Sequence, residues 1–408
     1  MRHSCFELPL ARSTAAVVTN VILFGCVLAI SLGAMPATVL GEDAKVTLIR
    51  TPNEGIQPQV AIDSTGVLHL IYFRGKPGAG DAFYVQMSTE NGLASGFTTP
   101  VRVNSQPNSV VATGTIRGAQ LAIGKENRVH VAWNGSGETL PAGAPKNQHP
   151  MLYARQSDDG SEFEPQRNLI DSNYGLDGGG SVAADPSGNV YVAWHAGTEN
   201  GEANRKVWVA KSIDDGQTFE KESLATTQRT GACGCCGMKA TADSAGNVYM
   251  LFRGARDDTN RDMLLLVSQN SGKSFSTALL DRWQIAKCPM SSESFTVTRD
   301  GVIGAWENDG QVFFTRVDAK TGKPGRPMSP PGGARERKHP SHAVNDRGEI
   351  LLAWAEGTGW QKGGALAWQV FDKSGKPTKD RGRTDNGIPV WSVPAATALP
   401  DGQFVLVH

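Results

Sequence analysis

The sequence predicts an all-β fold, a β-propeller of four-stranded blades. Three observations carry this: a two-strand pattern that recurs along the chain, a composition rich in turn formers, and a second, distinct hairpin between the copies. The pattern is an apolar strand, a turn built on Asp or Asn with Gly, and a second strand ending in an aromatic or aliphatic residue. It occurs seven times, as "PQVAIDSTGVLHLIYF", "AQLAIGKENRVHVAWN", "GSVAADPSGNVYVAWH", "MKATADSAGNVYMLFR", "ESFTVTRDGVIGAWE", "SHAVNDRGEILLAWAE" and "AATALPDGQFVLVH". The landmarks Phe73, Trp133, Trp194, Phe252, Trp306 and Trp354 recur at roughly 50 to 60 residues, the length of one four-stranded blade. The 47 glycines and 22 prolines in 408 residues suit many turns and little long helix.

The N-terminus is read apart from this repeat. Arg2 and Arg12 precede the apolar run "AAVVTNVILFGCVLAISLG", and Ala34-Met35-Pro36-Ala37 offers small residues for cleavage. A signal peptide is expected over residues 1–37, with an uncleaved membrane anchor as the alternative, then a linker over 38–44 and one propeller domain over 45–408. The protein is therefore expected to be exported, to the periplasm, the cell surface or the medium. The 40 basic residues equal the 40 acidic ones, so no global charge draws the chain to nucleic acid, and a membrane is met only through the leader.

The second hairpin carries the pattern Ser-x-Asp-x-Gly-x-x-Phe. It is clean in "SIDDGQTF" (Ser212, Asp214, Gly216, Phe219) and altered in "SQNSGKSF" (Ser268, Asn270, Gly272, Phe275). In "QSDDGSEF" the positions fall on Gln156, Asp158, Gly160 and Phe163, and "STENGLASGF" is looser. Asp or Asn can bond the backbone of its own turn, Gly permits positive φ, and the aromatic packs under the hairpin. The motif is structural and marks no catalytic centre.

These residues resemble the Asp-box, or BNR-repeat, branch of the sialidase superfamily over nearly all of residues 45–408. The resemblance implies a propeller of that type. Seven copies of the first hairpin argue for seven blades, the last completed by the N-terminal strand "KVTLIR"; sialidases proper have six, which is the alternative.

With strands named A to D from the centre outward, the loops from B to C and from D to the next A share one face. The ends of the B strands place Arg74, Asn134, His195, Arg253, Glu307, Glu356 and His408 there. The inter-blade loops add Arg117, Cys233, Cys235, Cys236, Cys288 and His339, and the loop "RGARDDTNRD" adds Arg256, Asp257, Asp258, Arg261 and Asp262. A cluster of such groups at one channel mouth is a candidate ligand site, although polar strand ends are commonly just solvated.

Removal of the leader leaves four of the six cysteines, an even number in an exported chain. Cys233 to Cys236 immediately precede strand A of blade 4, and Cys288 precedes strand A of blade 5. Disulfides among the four, one joining the two blades, are the favoured reading. The alternatives are a metal held by the four thiolates, Zn²⁺ or Cu⁺, and a redox-active thiol. No cofactor is otherwise expected.

The combination of "CGCC", "FRGARDD" and "WQIAKCP" is also similar to a subgroup of exported superfamily members of unassigned activity. That likeness implies a shared site of the cysteines with Arg253, Asp257, Asp258, Arg261, Asp262 and Trp283. A sialidase further needs a late Tyr nucleophile, because an anionic sugar repels a carboxylate. Here the last tyrosine is Tyr249, inside a B strand. The expected function is a glycan- or protein-binding module, with Arg74, His195, Arg253, Arg256, Asp258, Arg261, Trp283 and His339 as ligand contacts. The alternative is a glycoside hydrolase or lyase acting on an anionic polysaccharide, with Asp257, Asp262 and Glu307 as its acids and bases.

Overall fold

The structure is a computed structural model that describes residues 45–90, 92–139, 148–197, 201–226, 228–333 and 336–408. The expected signal peptide and linker lie outside the described residues. No helix among the described residues is long and apolar enough to cross a membrane.

Among the described residues seven separate sheets form seven blades, so the hairpin count holds. Blade 3 shows the plan: Ser181–Ala184, Val190–Ala196, Lys206–Ser212 and Ser223–Leu224 pair in that order, all antiparallel. Five sheets have four strands and two have three. In blade 5 the fourth strand is reduced to bridges between Phe314 and Met328 and between Val317 and Pro324. Blade 7 takes Ala395–Ala398 and Phe404–Val407 from the end of the chain and Val46–Ile49 from its start, the last pairing in parallel.

The B strands are continuous apolar runs because neighbouring blades cover both their faces. Val190–Ala196 is buried throughout, whereas the outer strand Pro377–Ile388 is largely accessible. Trp133, Trp194 and Trp306 are fully buried between blades. Their indole N–H groups still find acceptors: Trp133 donates to the Ser109 carbonyl (3.2 Å) and Trp306 to Asp281 Oδ2 (3.2 Å). A buried Trp is affordable only with such a partner.

The turns between strands A and B explain the repeated Asp-x-x-Gly. Asp243 Oδ1 accepts from the amides of Ala245 (3.0 Å) and Asn247 (2.9 Å), and Gly246 takes φ +82°. Asp63, Asp185 and Asn345 do the same in blades 1, 3 and 6. Asp243 Oδ2 additionally accepts from Tyr249 Oη (3.0 Å) and Asn247 Nδ2 (2.8 Å). Asp243→Ala leaves those buried donors unpaired and is expected to cost about 2–3 kcal/mol in urea unfolding. A loss within 0.5 kcal/mol (roughly the scatter of a surface change) would refute this account.

The second hairpins fold as turns of the expected kind, with one shift. In blade 3, Asp214 Oδ1 accepts from the Thr218 amide (2.9 Å), and Phe219 packs edge-on against Tyr153 at 4.9 Å. In blade 2 the turn is closed by Asp159, which accepts from the Ser161 amide (3.0 Å), and not by Asp158. Asp158 instead lies 3.0 Å from Arg155 Nη2 and 2.9 Å from Arg128 Nη2. Two adjacent aspartates made the register ambiguous in sequence.

The innermost strands line a channel holding a cavity of about 650 Å³. Lys239 of blade 4 crosses it, donating to Gln59 Oε1 (2.9 Å) and Gln120 Oε1 (2.8 Å) of blades 1 and 2.

Candidate functional site

The loop carrying the three clustered cysteines is pinned at the channel mouth from three blades. The Cys233 amide donates to the Arg253 carbonyl (2.9 Å), the Gly237 amide to the Ser291 carbonyl (2.8 Å), and His195 Nε2 to the Cys236 carbonyl (3.2 Å). Gly234 allows the tight approach of its neighbours, since a β-carbon there would stand 1.7 Å from Arg205 Nη1. The result is a compact group of sulfurs: Cys233 lies 3.3 Å from Cys235 and 3.1 Å from Cys236, and all three fall within 4.8 Å of one another.

All four cysteines of the propeller are free thiols. The expected disulfides, including the bridge to Cys288, are not formed, and Cys288 does not belong to the sulfur group. The loop of Cys288 does reach the site, as anticipated, but through its next residues. Met290, at φ +50°, turns the chain so that Ser291 meets blade 4, leaving Cys288 exposed. Burial pushes the Cys236 thiol up, yet its interactions with Cys233 and Cys235, with Arg253 beside them, hold it well below the usual thiol value.

Arg253 is 1% exposed, and its donors are directed at the protein. Its Nε donates to Ser291 Oγ (2.8 Å), Nη1 to the Arg261 carbonyl (2.6 Å) and Nη2 to the Glu307 carbonyl (2.5 Å), while the guanidinium lies 4.9 Å over Trp283. Arg261 is likewise buried, 2.5 Å from Glu202. His195 and His339 are buried too, so four of the expected ligand contacts lie within the protein. Burial holds His195 neutral, pushing it down to about 4.

The expected acids and bases separate into two environments. Asp257 is exposed and paired with Arg256 at 3.3 Å, and Asp258 is exposed beside it. Asp262 accepts from the Trp283 amide (3.1 Å). Glu307 is buried, accepting from the His339 amide (2.9 Å) with Lys338 Nζ at 3.7 Å, and burial pushes its carboxyl up to about 7. Glu293, which the sequence reading missed, is also buried and raised well above the usual carboxyl value by burial. Arg74 is exposed on blade 1, across the ring from this group.

Further groups on the same face were missed. Asp177 pairs with Arg117 (2.8 Å) and Arg205 (3.1 Å), and Glu202 accepts from the Gly234 amide (2.5 Å), so charges bridge the cysteine loop. Trp360, in the loop of blade 6 between strands B and C, is 60% exposed and stands edge-on to Trp391 at 4.6 Å. Gly114 lies between it and Arg117, a β-carbon there being 3.9 Å from the Trp360 ring and 2.9 Å from Arg117 Nη1. The glycine-rich "GTGWQKGG" was the available signal: a bulky aromatic on a turn has little to pack against.

No family model matches the sequence, and no curated protein matches it. Solved structures match by fold. A protein of unknown function from Dyadobacter fermentans aligns at TM-score 0.52 and 14% identity, over 80% of this chain and 96% of its own. A structure of NanB with Optactamide aligns at TM-score 0.50 and 10% identity, over 77% and 67% of the two chains; NanB is a sialidase of Streptococcus pneumoniae. A sialidase of Trypanosoma rangeli aligns at TM-score 0.49 and 13% identity, over 78% of this chain and 54% of its own. The chain has a sialidase-like propeller fold.

Proposed function

We propose that this chain is an exported glycan-binding propeller, which holds a saccharide against the channel-mouth face without cleaving it. The observation that carries the reading is Trp360, a large exposed aromatic braced by Trp391 beside the charged pair Arg117 and Asp177. An apolar ring face with hydrogen-bonding groups at its edge suits a sugar, which has one face of C–H groups and a rim of hydroxyls. The fold shared with a sialidase agrees with a glycan ligand. The position of Tyr249 argues against the sialidase mechanism: it is fully buried, and its hydroxyl is bound to Asp243.

The test is affinity electrophoresis of the full chain in gels containing soluble neutral or anionic polysaccharides. Retardation by at least one polymer is expected, and Trp360→Ala should weaken it about tenfold, the worth of one good aromatic contact, with an unchanged circular dichroism spectrum. Mobility unaffected by every polymer, or by the substitution, would sink the reading.

Cleavage is the second reading, favoured by Glu307, whose carboxyl near 7 is in the range of a general acid. Release of reducing ends or unsaturated sugars, abolished by Glu307→Gln, would replace binding with catalysis.

A further inference from the structure

We propose that Cys233, Cys235 and Cys236 form a three-thiolate site for a soft monovalent cation, Cu(I) by its chemistry. Its three ligands are distinct from Trp360, and the proposal does not depend on glycan binding.

The donor set makes the first argument. Three sulfurs converge within 4.8 Å, and among the described residues no histidine or carboxylate joins them. Structural zinc sites close with four ligands, whereas thiolates without a fourth donor suit a soft ion in a trigonal plane. With metal–sulfur bonds of about 2.3 Å, the sulfurs of such a plane stand about 4.0 Å apart. The present contacts of 3.1 and 3.3 Å therefore need to open by less than about 1 Å.

Charge makes the second, independent argument. Three thiolates around one monovalent cation leave a net double negative charge, costly to bury without compensation. Two buried arginines stand at this loop: Arg253, whose carbonyl accepts from the Cys233 amide (2.9 Å), and Arg261, which is paired with Glu202 at 2.5 Å. Arg261 is 6% exposed, yet its Nε has no hydrogen-bond acceptor. A buried donor left unpaired at this loop is the kind of group an anionic sulfur cluster would satisfy.

Access and rigidity fit as well. Cys233 and Cys236 are fully buried while Cys235 is partly exposed, so an ion arriving at the mouth meets Cys235 first. The loop is held by backbone bonds to blades 3, 4 and 5, which fixes the sulfurs before any ion arrives.

The experiment is titration of the reduced full chain with Cu(I) under argon, in competition with bicinchoninate, followed by X-ray absorption at the copper edge. One Cu(I) per chain with three sulfurs at about 2.3 Å is expected. Cys235→Ser, at the partly exposed position, should lower the affinity by more than about 100-fold, beyond what a lost supporting contact costs. Cys288→Ser should leave it unchanged.

Two sulfur neighbours in the wild-type spectrum would overturn the proposal, as would undiminished affinity in Cys235→Ser or loss of binding in Cys288→Ser. A preferred four-coordinate Zn²⁺ complex, or a disulfide between Cys233 and Cys236 that survives reductant, would also overturn it. The spectrum of the unsubstituted protein decides the matter even if a variant misfolds.

Discussion

Arg253→Met is expected to lower the unfolding free energy by about 3–5 kcal/mol, the cost of leaving three buried acceptors without their donor. The guanidinium joins two blades: its own strand B belongs to blade 4, while Ser291 and the Glu307 carbonyl belong to blade 5. Methionine fills much of the volume and rests on Trp283, so the loss is one of hydrogen bonding and charge. The Ser291 hydroxyl and two carbonyls stay buried with no donor in its place. Arg253→Lys should recover little, because a point charge cannot reach three acceptors in a fork geometry. Urea unfolding measures this as a lower midpoint at constant slope. A loss below about 1 kcal/mol would mean that Arg253 is dispensable to the fold and free for a ligand after all.

Glu307→Gln is expected to become progressively more favourable, relative to the parent protein, as the pH rises. Burial lifts the Glu307 carboxyl from the ordinary 4.5 to about 7 in the folded state. A raised carboxyl contributes fully below the unfolded value, and its contribution is lost as pH rises through the folded value. A displacement of this size is worth about 3 kcal/mol between pH 4 and pH 8. Glutamine keeps an oxygen for the His339 amide and cannot ionise. Burial lowers His195 and His342 to about 4, which acts in the opposite sense by removing stability as pH falls below 6.5. Those histidines are common to both proteins and cancel in the difference. Unfolding free energies of the pair at pH 4, 6 and 8 check the result. A difference independent of pH would show that Glu307 ionises normally in the folded chain.

The ring was legible because its signals are local. Asp-x-x-Gly turns and a large residue at the end of each B strand repeat with the blade, and strand alternation then dictates which loops share a face. The strand "KVTLIR" could be assigned to the last blade for the same reason: the seventh hairpin lacked outer strands.

The site was legible only to the level of loops. Sequence put the loops of "GACGCCGMKA" and "WQIAKCP" on one face, but direction within a loop depends on single φ angles such as that of Met290. Cysteine at position 288 therefore looked like the partner when Met290 and Ser291 are the residues that arrive. Arg253 and Arg261 carried the opposite ambiguity. An arginine that binds a ligand and one that satisfies its own backbone read alike until burial is known. Glu293 and Trp360 escaped because neither sits at the end of a B strand.

The parallel pairing of Val46–Ile49 with Phe404–Val407 has a kinetic consequence. Blades 1 to 6 each draw on one continuous stretch of chain, so they can form and stack in the order in which they are made. Blade 7 cannot, because its strands come from opposite ends of the sequence. Its completion requires closure of nearly the whole chain into one loop, the slowest kind of contact to form although not the most costly at equilibrium. Until then the edge of Phe404–Val407 and the outward faces of the first and sixth blades stand open to solvent, ready to pair with another chain. Folding yield should therefore be set by how long this one seam stays open.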